Sequence, residues 1–155
     1  MLKVNNVIVA VVEAKAESKN AENGLSQAKD YAQRLDVPIA FATNGNMILM
    51  YDRQIPKTEL VDRFLSPEEL YQVCREWKGL IDKNLSPLEY PHYLGGGKKP
   101  RAYQETAIRR VIEAILKGQK RILLTTATET GKTYVAFQIT WKLIKSGYFS
   151  RVLFL

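Results

Sequence analysis

Two residues that could do chemistry together follow one apolar stretch near the start of the chain. Residues 7–12 read Val-Ile-Val-Ala-Val-Val, which predicts a strand buried on both faces. Glu13 and Lys15 come next, and side chains two residues apart in a strand point to the same side. A carboxylate can help hold Mg²⁺, and an ammonium can orient water or stabilise charge during phosphodiester hydrolysis. We therefore predict a metal-dependent site in which Glu13 is a metal ligand and both residues are catalytic.

The next apolar pattern places two more polar side chains near this pair. Apolar residues recur at helical spacing from Leu25 to Leu35, with Asn20 as the predicted N-cap. Gln27 and Tyr31 are four residues apart and share one face of this helix. They make the Glu-x-Lys signal more specific, because that tripeptide alone is common. The alternative is an ordinary amphipathic helix on which Tyr31 is partly packed.

A second candidate site surrounds the sequence Thr130-Gly131-Lys132-Thr133. It follows a predicted short buried strand at 121–125 and precedes a predicted helix that ends at Gly147. A phosphate-binding loop needs backbone N–H groups, a lysine for the β- and γ-phosphates and a hydroxyl for Mg²⁺. Lys132 and Thr133 suit the last two roles, and the helix N-terminus adds a favourable dipole.

The remaining pattern predicts the elements that carry these sites. Residues 1–6 read as a strand end and turn, and 39–43 as a second buried strand. Asn44-Gly45 predicts a two-residue hairpin turn into a returning strand at 47–51, whereas residues 52–65 show no clear period. Ser66 begins a helix with a capping box.

The C-terminal part begins with a predicted linker. Residues 82–100 hold three prolines and Gly95-Gly96-Gly97, which predicts a domain boundary. A helix of about 16 residues is expected from Arg101 to a stop at Gly118, and a strand is expected to begin at Val152.

Composition narrows the classes of protein that fit. One cysteine and one histidine exclude an intrachain disulfide framework and a multi-histidine metal site. No apolar run reaches the roughly 18 residues of a membrane span and no leader pattern is present, so we expect a cytoplasmic protein without membrane contact. Residues 1–90 carry a net charge of −2 and residues 91–155 a net charge of +9. The basic part favours nucleic acid or nucleotide phosphates as partners, although a basic solvated surface is the simpler alternative.

With these motifs in place, the chain resembles the restriction (motor and endonuclease) subunit of type I restriction enzymes. The resemblance covers nearly the whole chain in the family's order. Its matching segments are 11–15 (Val-Val-Glu-Ala-Lys), Gly24 with 27–32 (Gln-Ala-Lys-Asp-Tyr-Ala), 42–45 (Ala-Thr-Asn-Gly), 66–70 (Ser-Pro-Glu-Glu-Leu), and Arg101, Tyr103, Gln104 and Ala107 before the Gly-Lys-Thr loop.

This resemblance implies an α/β chain with a PD-(D/E)xK nuclease-like mixed sheet and flanking helices in residues 1–81. A linker at 82–100 and the incomplete start of a RecA-like, superfamily 2 helicase domain at 101–155 would follow. The parent subunit would move along DNA with ATP, cut it with Mg²⁺, and assemble with specificity and modification subunits.

The resemblance also assigns roles to residues. Glu13 and Lys15 match the catalytic pair, and Gln27 and Tyr31 match the additional glutamine–tyrosine motif of the nuclease. Gln104 matches the glutamine that reads adenine. The loop residues Thr130, Gly131, Lys132 and Thr133 match the nucleotide-binding positions, with Thr133 at Mg²⁺.

Three departures from the family pattern lead us to expect that this chain is inactive alone. The family's catalytic aspartate would fall just upstream of Met1. Glu129 stands where the family's loop has glycine, which predicts impaired ATP binding. The chain ends after the strand predicted to follow the loop, without an acidic Mg²⁺ motif. Two alternatives stay open: a catalytically silent DNA-binding or assembly remnant, and an unrelated P-loop nucleotide-binding protein.

Overall fold

The computed structural model describes residues 1–127 and 129–153 and divides the chain into two compact units, Met1–Ile81 and Asp82–Leu155. The elements of the first unit are β1 (Leu2–Val4), β2 (Val7–Ala14), α1 (Glu22–Leu35), β3 (Ile39–Thr43), β4 (Ile48–Asp52), β5 (Lys57–Val61) and α2 (Pro67–Lys78). Those of the second unit are α3 (Ser86–Glu89), a short 3-10 helix (Gly95–Gly97), α4 (Ala102–Leu116) and α5 (Lys132–Lys145). Within the described ranges, no helix is both long and apolar enough to cross a membrane.

The first unit is a mixed α/β structure built on one five-stranded sheet in the order β1-β2-β3-β4-β5. Strands β2 and β3 are parallel, and every other neighbouring pair is antiparallel. Helix α1 connects the parallel pair, because parallel neighbours need a crossover rather than a tight turn. The mixed sheet with helices that the family resemblance implies is therefore confirmed.

The centre of this sheet is the apolar stretch of β2 and its parallel neighbour. Residues 7–11 and 39–42 are all buried, which confirms a strand covered on both faces. Helix α1 lays Ala28 and Ala32 on the sheet, and both are fully buried. Their small side chains let the helix backbone approach closely, so its polar face lies over the end of β2.

The N-cap of α1 is shifted by one residue from the prediction. The cap position is Ala21, which has no capping side chain, rather than Asn20. The Asn20 side chain nevertheless accepts a hydrogen bond at 3.0 Å from the backbone N–H of Glu22. Its carbonyl group therefore satisfies a free N–H of the first turn from one position further out.

A charged cluster closes the C-terminus of α1. Asp36 ends the helix in the left-handed conformation and accepts hydrogen bonds from Lys78 Nζ at 2.6 Å and Trp77 Nε1 at 3.2 Å. Arg53 lies 3.7 Å from the same carboxylate. Burial opposes the ionisation of Asp36, but the hydrogen bond and charge of Lys78, with Trp77 and Arg53, outweigh it and lower its pKa. The cluster joins α1 to α2.

The hairpin after β3 is longer than predicted. Thr43 pairs with Ile48, so the loop comprises the four residues 44–47 rather than Asn44-Gly45 alone. The Asn44 side chain accepts hydrogen bonds from the backbone N–H groups of Asn46 and Met47, which stabilises this wider turn. The predicted returning strand is confirmed with a shift of one residue.

Strand β5 lies in the stretch where the sequence shows no period. Its residues alternate poorly in hydropathy, and Leu60 is 65% exposed. This edge strand forms because it pairs with β4 in antiparallel fashion. Its backbone hydrogen bonds to β4, and not a buried apolar face, determine its position. Lys57 and Glu59 on the strand form an ion pair, and charge of this kind discourages pairing with other chains.

The predicted start of α2 is confirmed. Ser66 Oγ accepts a hydrogen bond from the Glu69 N–H, and the Glu69 carboxylate accepts one from the Ser66 N–H. The Arg63 guanidinium donates two further hydrogen bonds to Glu69. Arg63 and then the Ser66 backbone lower the pKa of Glu69 to about 2.

Helices form the second unit, and buried polar side chains tie it together. Gln138 of α5 is fully buried and makes both of its amide hydrogen bonds with the backbone of Tyr93, at 3.0 and 2.8 Å. Lys142, one turn further, donates to the carbonyls of Leu88 and Tyr90. The stretch predicted as a linker thus contains α3 and is held to α5. Gly118 and Gly147 end α4 and α5 as predicted, both with positive φ.

The two strands predicted for this unit are not formed. Residues 121–127 have no regular structure, and Leu123 is 92% exposed. Val152 and Leu153 are also irregular and exposed, and residues 154–155 of that prediction lie outside the described residues. A strand needs a hydrogen-bonded neighbour, and the described part of this unit provides none for either segment.

Candidate functional site

A chain of hydrogen bonds joins all four predicted side chains of the first site. Lys15 Nζ lies 2.8 Å from Glu13 Oε1 and donates a second hydrogen bond to Gln27 Oε1 at 3.2 Å. Gln27 Nε2 in turn donates to the Tyr31 hydroxyl at 3.0 Å. Glu13 belongs to β2, Lys15 follows it, and the other two residues are on α1. The sheet and its first helix therefore present an acid, a base, an amide and a phenol side by side.

The position of this group follows from the β2–β3 pairing. Glu13 pairs with Ala42 in the parallel ladder, and the Lys15 N–H donates to the Thr43 carbonyl at 2.8 Å. This last bond extends the ladder by one residue and fixes the direction of Lys15. The side chains of Lys15 and Glu13 are 25% and 19% exposed, so the pair is partly desolvated yet accessible from solvent.

Asn44 supports the site, although the sequence indicated only a turn there. Its Nδ2 donates to the Lys19 carbonyl at 2.9 Å, which fixes the loop that follows Lys15. Asn46 donates to the Glu17 carboxylate in the same loop at 3.2 Å. An Asn-Gly sequence already predicts a turn, but a contact across 25 residues has no local signal.

The described residues of the first unit do not complete a Mg²⁺ site. Across 1–127 and 129–153, no three His, Cys, Asp or Glu side chains form a group that could hold a metal ion. Glu13 is a single carboxylate, and the Lys15 ammonium already lies against one of its oxygens. The ammonium therefore competes with any divalent ion for that carboxylate. A phosphate would likewise have to compete with Glu13 for the Lys15 ammonium.

The second candidate site is a cleft of about 460 Å³ in the second unit. Its lining includes three cationic side chains, Lys98, Lys99 and Arg101, together with the carboxylate of Glu129. The other lining residues are Tyr103, Gln104, Thr130, Gly131 and Tyr134. The surplus of positive charge suits a phosphate-bearing ligand.

Gln104 binds the backbone of the Thr130–Gly131 loop in this structure. Its Oε1 accepts from the Arg101 N–H at 3.0 Å, and its Nε2 donates to the Thr130 carbonyl at 2.9 Å. Gly131 has φ of 80°, and a Cβ there would lie 2.7 Å from Gln104 Nε2. The positive φ therefore favours glycine at 131, and a side chain there would also displace the Gln104 amide from its present position.

The remaining loop residues lie beside the cleft. Lys132 and Thr133 occupy the exposed first turn of α5 and are not among the residues that line it. Glu129 lines the cleft in the left-handed conformation, with φ of 63°. The cationic side chains and the helix N-terminus fit a phosphate, whereas the Glu129 carboxylate does not.

Two curated relatives of this chain are endonuclease subunits of type I restriction enzymes. The chain is 44% identical over 154 residues to the type I restriction enzyme EcoAI endonuclease subunit of Escherichia coli, covering 95% of this chain and 19% of that protein. It is 54% identical over 135 residues to the EcoKI endonuclease subunit of E. coli strain K12, covering 79% of this chain and 11% of the relative. The chain thus spans about a fifth or less of these relatives.

A solved structure and a family match extend the comparison. The fragment structure of a protein assigned as the HsdR subunit of a type I restriction enzyme from Vibrio vulnificus YJ016 superposes with a TM-score of 0.78 at 43% identity. That match covers 89% of this chain and 26% of the other. Residues 97–155 match the family described as type III restriction enzyme, res subunit.

Proposed function

Because this chain belongs to the family of type I restriction enzyme endonuclease subunits, we propose that it carries part of the nuclease and motor machinery of such a subunit. Residues 1–81 would be a nuclease domain of the PD-(D/E)xK class, and residues 101–155 the start of a RecA-like, superfamily 2 helicase domain, with 82–100 as the linker. The hydrogen-bonded group of Glu13, Lys15, Gln27 and Tyr31 is the observation that supports this most directly.

Each member of that group has a proposed role in cutting DNA. The Lys15 ammonium would meet the charge on the scissile phosphate, and Glu13 would be one ligand of Mg²⁺. Gln27 holds Lys15 toward α1, and Tyr31 fixes the orientation of the Gln27 amide. Bound Mg²⁺ would polarise the phosphate and activate water. Since one carboxylate holds this ion weakly, we propose that the chain alone does not cleave DNA.

The cleft of the second unit would serve nucleotide binding in the parent subunit. We assign the phosphate contacts to Thr130, Gly131 and Lys132, the Mg²⁺ contact to Thr133, and adenine recognition to Gln104. In the described structure Gln104 contacts backbone, so reading adenine would require its Nε2 to exchange Thr130 for the base. Glu129 would weaken ATP binding, and translocation would require the rest of the motor.

The partners follow from the same proposal. DNA would be the substrate, and specificity and modification subunits would complete the assembly. A second candidate function is DNA binding or assembly without catalysis, which the net charge of +9 on residues 91–155 favours. An unrelated P-loop protein is disfavoured, because the similarity to one relative extends over 95% of the chain.

A graft tests the nuclease proposal without requiring this chain to act alone. Residues 1–81 would replace the aligned segment of the EcoAI endonuclease subunit, and DNA cleavage by the reconstituted enzyme would be measured with Mg²⁺ and ATP. We expect the graft to cut DNA, and Glu13→Ala or Lys15→Ala to reduce cleavage about 100-fold or more. Asp30→Ala, which removes an exposed carboxylate from α1, is the matched control.

The outcomes separate the two candidate functions. Loss of cleavage in Glu13→Ala and Lys15→Ala with normal DNA binding supports the nuclease assignment. A graft that cuts equally well without either side chain refutes it. The ungrafted chain does not separate the two candidates. Salt-dependent DNA binding without cleavage in Mg²⁺ is expected both for a catalytically silent protein and for an incomplete nuclease, so only the graft distinguishes them.

A further inference from the structure

Gly24 lies in the first turns of α1, directly against the Glu13–Lys15 pair. It is buried, and a Cβ built on it would lie 3.1 Å from Glu13 Cγ, 3.3 Å from Lys15 Cε and 3.4 Å from Lys15 Cγ. Glycine inside a helix costs stability relative to alanine. Here its φ lies in the ordinary helical range, so no turn or left-handed conformation explains its presence. The space that glycine leaves beside the two charged side chains explains why glycine stands at this position.

From this contact we propose that Gly24 is a positioning residue for the candidate nuclease site. The inference rests on the proposed function of Glu13 and Lys15. The missing side chain leaves room for the stems of both residues to run along the helix surface. Lys15 Nζ can then reach Glu13 on one side and Gln27, three residues beyond Gly24, on the other. A methyl group at 24 would push these stems outward by a few tenths of an ångström.

The displaced atoms determine what a substitution does. Glu13 Cγ and Lys15 Cε belong to flexible side chains rather than to backbone. Gly24→Ala is therefore expected to preserve the fold while it shifts the charged pair. A helical glycine without this contact would behave differently, because alanine would then stabilise the helix and leave Lys15 in place.

Unfolding equilibria of four proteins separate a positioning glycine from a helical glycine without this contact. They are the wild type, Gly24→Ala, the double variant Glu13→Ala/Lys15→Ala, and the triple variant. With both stems truncated, Gly24→Ala should raise the folding equilibrium constant about two- to fivefold, the usual gain of alanine over glycine in a helix. With both stems present, the gain should be abolished or reversed. Equal gains in the two backgrounds would overturn the inference.

A second measurement reports on Lys15 itself and does not depend on the truncated variants folding. Acylation of Lys15 by a limiting amount of acetic anhydride would be quantified by mass spectrometry relative to the exposed Lys120 in the same sample. Gly24→Ala should raise the relative reactivity of Lys15 about twofold or more, as expected when hydrogen bonds to its ammonium weaken. Unchanged reactivity together with unchanged helicity contradicts a positioning role. Neither readout requires cleavage, so each tests Gly24 independently of whether the subunit uses this pair to cut DNA.

Discussion

Replacing Glu129 by glycine should have two separable effects: stronger nucleotide binding and a more stable fold. Glu129 lines the cationic cleft beside the phosphate loop, and its backbone has φ of 63°. The Glu129→Gly variant removes a negative charge that would repel the nucleotide phosphates. It also places the one residue type that adopts a left-handed backbone without steric cost at this position.

The charge sets the larger part of the expected gain. A carboxylate about 4 Å from a phosphate charge costs on the order of 4 kcal/mol at an effective dielectric near 20 and about 1 kcal/mol in bulk water. These limits correspond to about a thousandfold and about fivefold in affinity. Because Glu129 is exposed and cations line the same cleft, screening favours the lower part of this range. We expect Glu129→Gly to bind Mg-ATP about 10-fold more tightly.

The backbone effect is measured separately with Glu129→Gln. This matched variant removes the charge but keeps a side chain at the left-handed position, which costs about 1 kcal/mol relative to glycine. Fluorescence or calorimetric titration with Mg-ATP should show most of the gain in Glu129→Gln. Chemical denaturation should show a stability gain of about 1 kcal/mol only in Glu129→Gly. Equal ATP affinity of all three proteins would refute the electrostatic argument.

The other predictions concern the first unit. Asp36→Asn removes the charge facing the buried ammonium of Lys78 and should destabilise the chain by about 1–2 kcal/mol, a value reduced because Asp36 is 44% exposed. Urea denaturation measures this loss of stability. Asp30→Asn, at an exposed position on the same helix, is the control and should have little effect. Ser66→Ala removes the N-cap of α2 and should cost about 1 kcal/mol, whereas Ser66→Thr should retain most of the stability. The folded-state pKa values of Asp36 and Glu69 are lowered, that of Glu69 to about 2, so the stability that both contribute is present above their unfolded pKa values, near 4, and is lost as the pH falls toward 2. Unfolding followed between pH 6 and pH 2 should show this loss, and a flat profile would contradict it.

Local signals in the sequence were sufficient for the elements whose own residues define them. The apolar run of β2 needed no partner to be recognised, because continuous β-branched residues suit a strand covered on both faces. The capping box at Ser66 and the glycines after α4 and α5 mark helix ends through contacts within a few residues. The proximity of Glu13 and Lys15 followed from strand geometry alone.

Elements that depend on a distant neighbour were not predictable in this way. The apolar pattern at 121–125 predicts a strand, yet no described neighbour pairs with it, and it remains irregular. Strand β5 has no apolar period and exists because β4 offers a free edge. A strand forms only when two segments pair. The pattern of one segment can therefore predict a strand that does not form, or miss one that does.

The sequence by itself determined which residues could do chemistry, through their types and local spacing, and the order of the apolar elements that carry them. Only the tertiary structure decided that Gln27 of α1 meets Lys15 at the end of β2, that no group of three or more metal-binding side chains forms among the described residues, and that Gly24 leaves room for the pair. These last facts depend on how closely a helix packs on a sheet, a distance set by the small residues Ala28 and Ala32 between them and not by any local pattern.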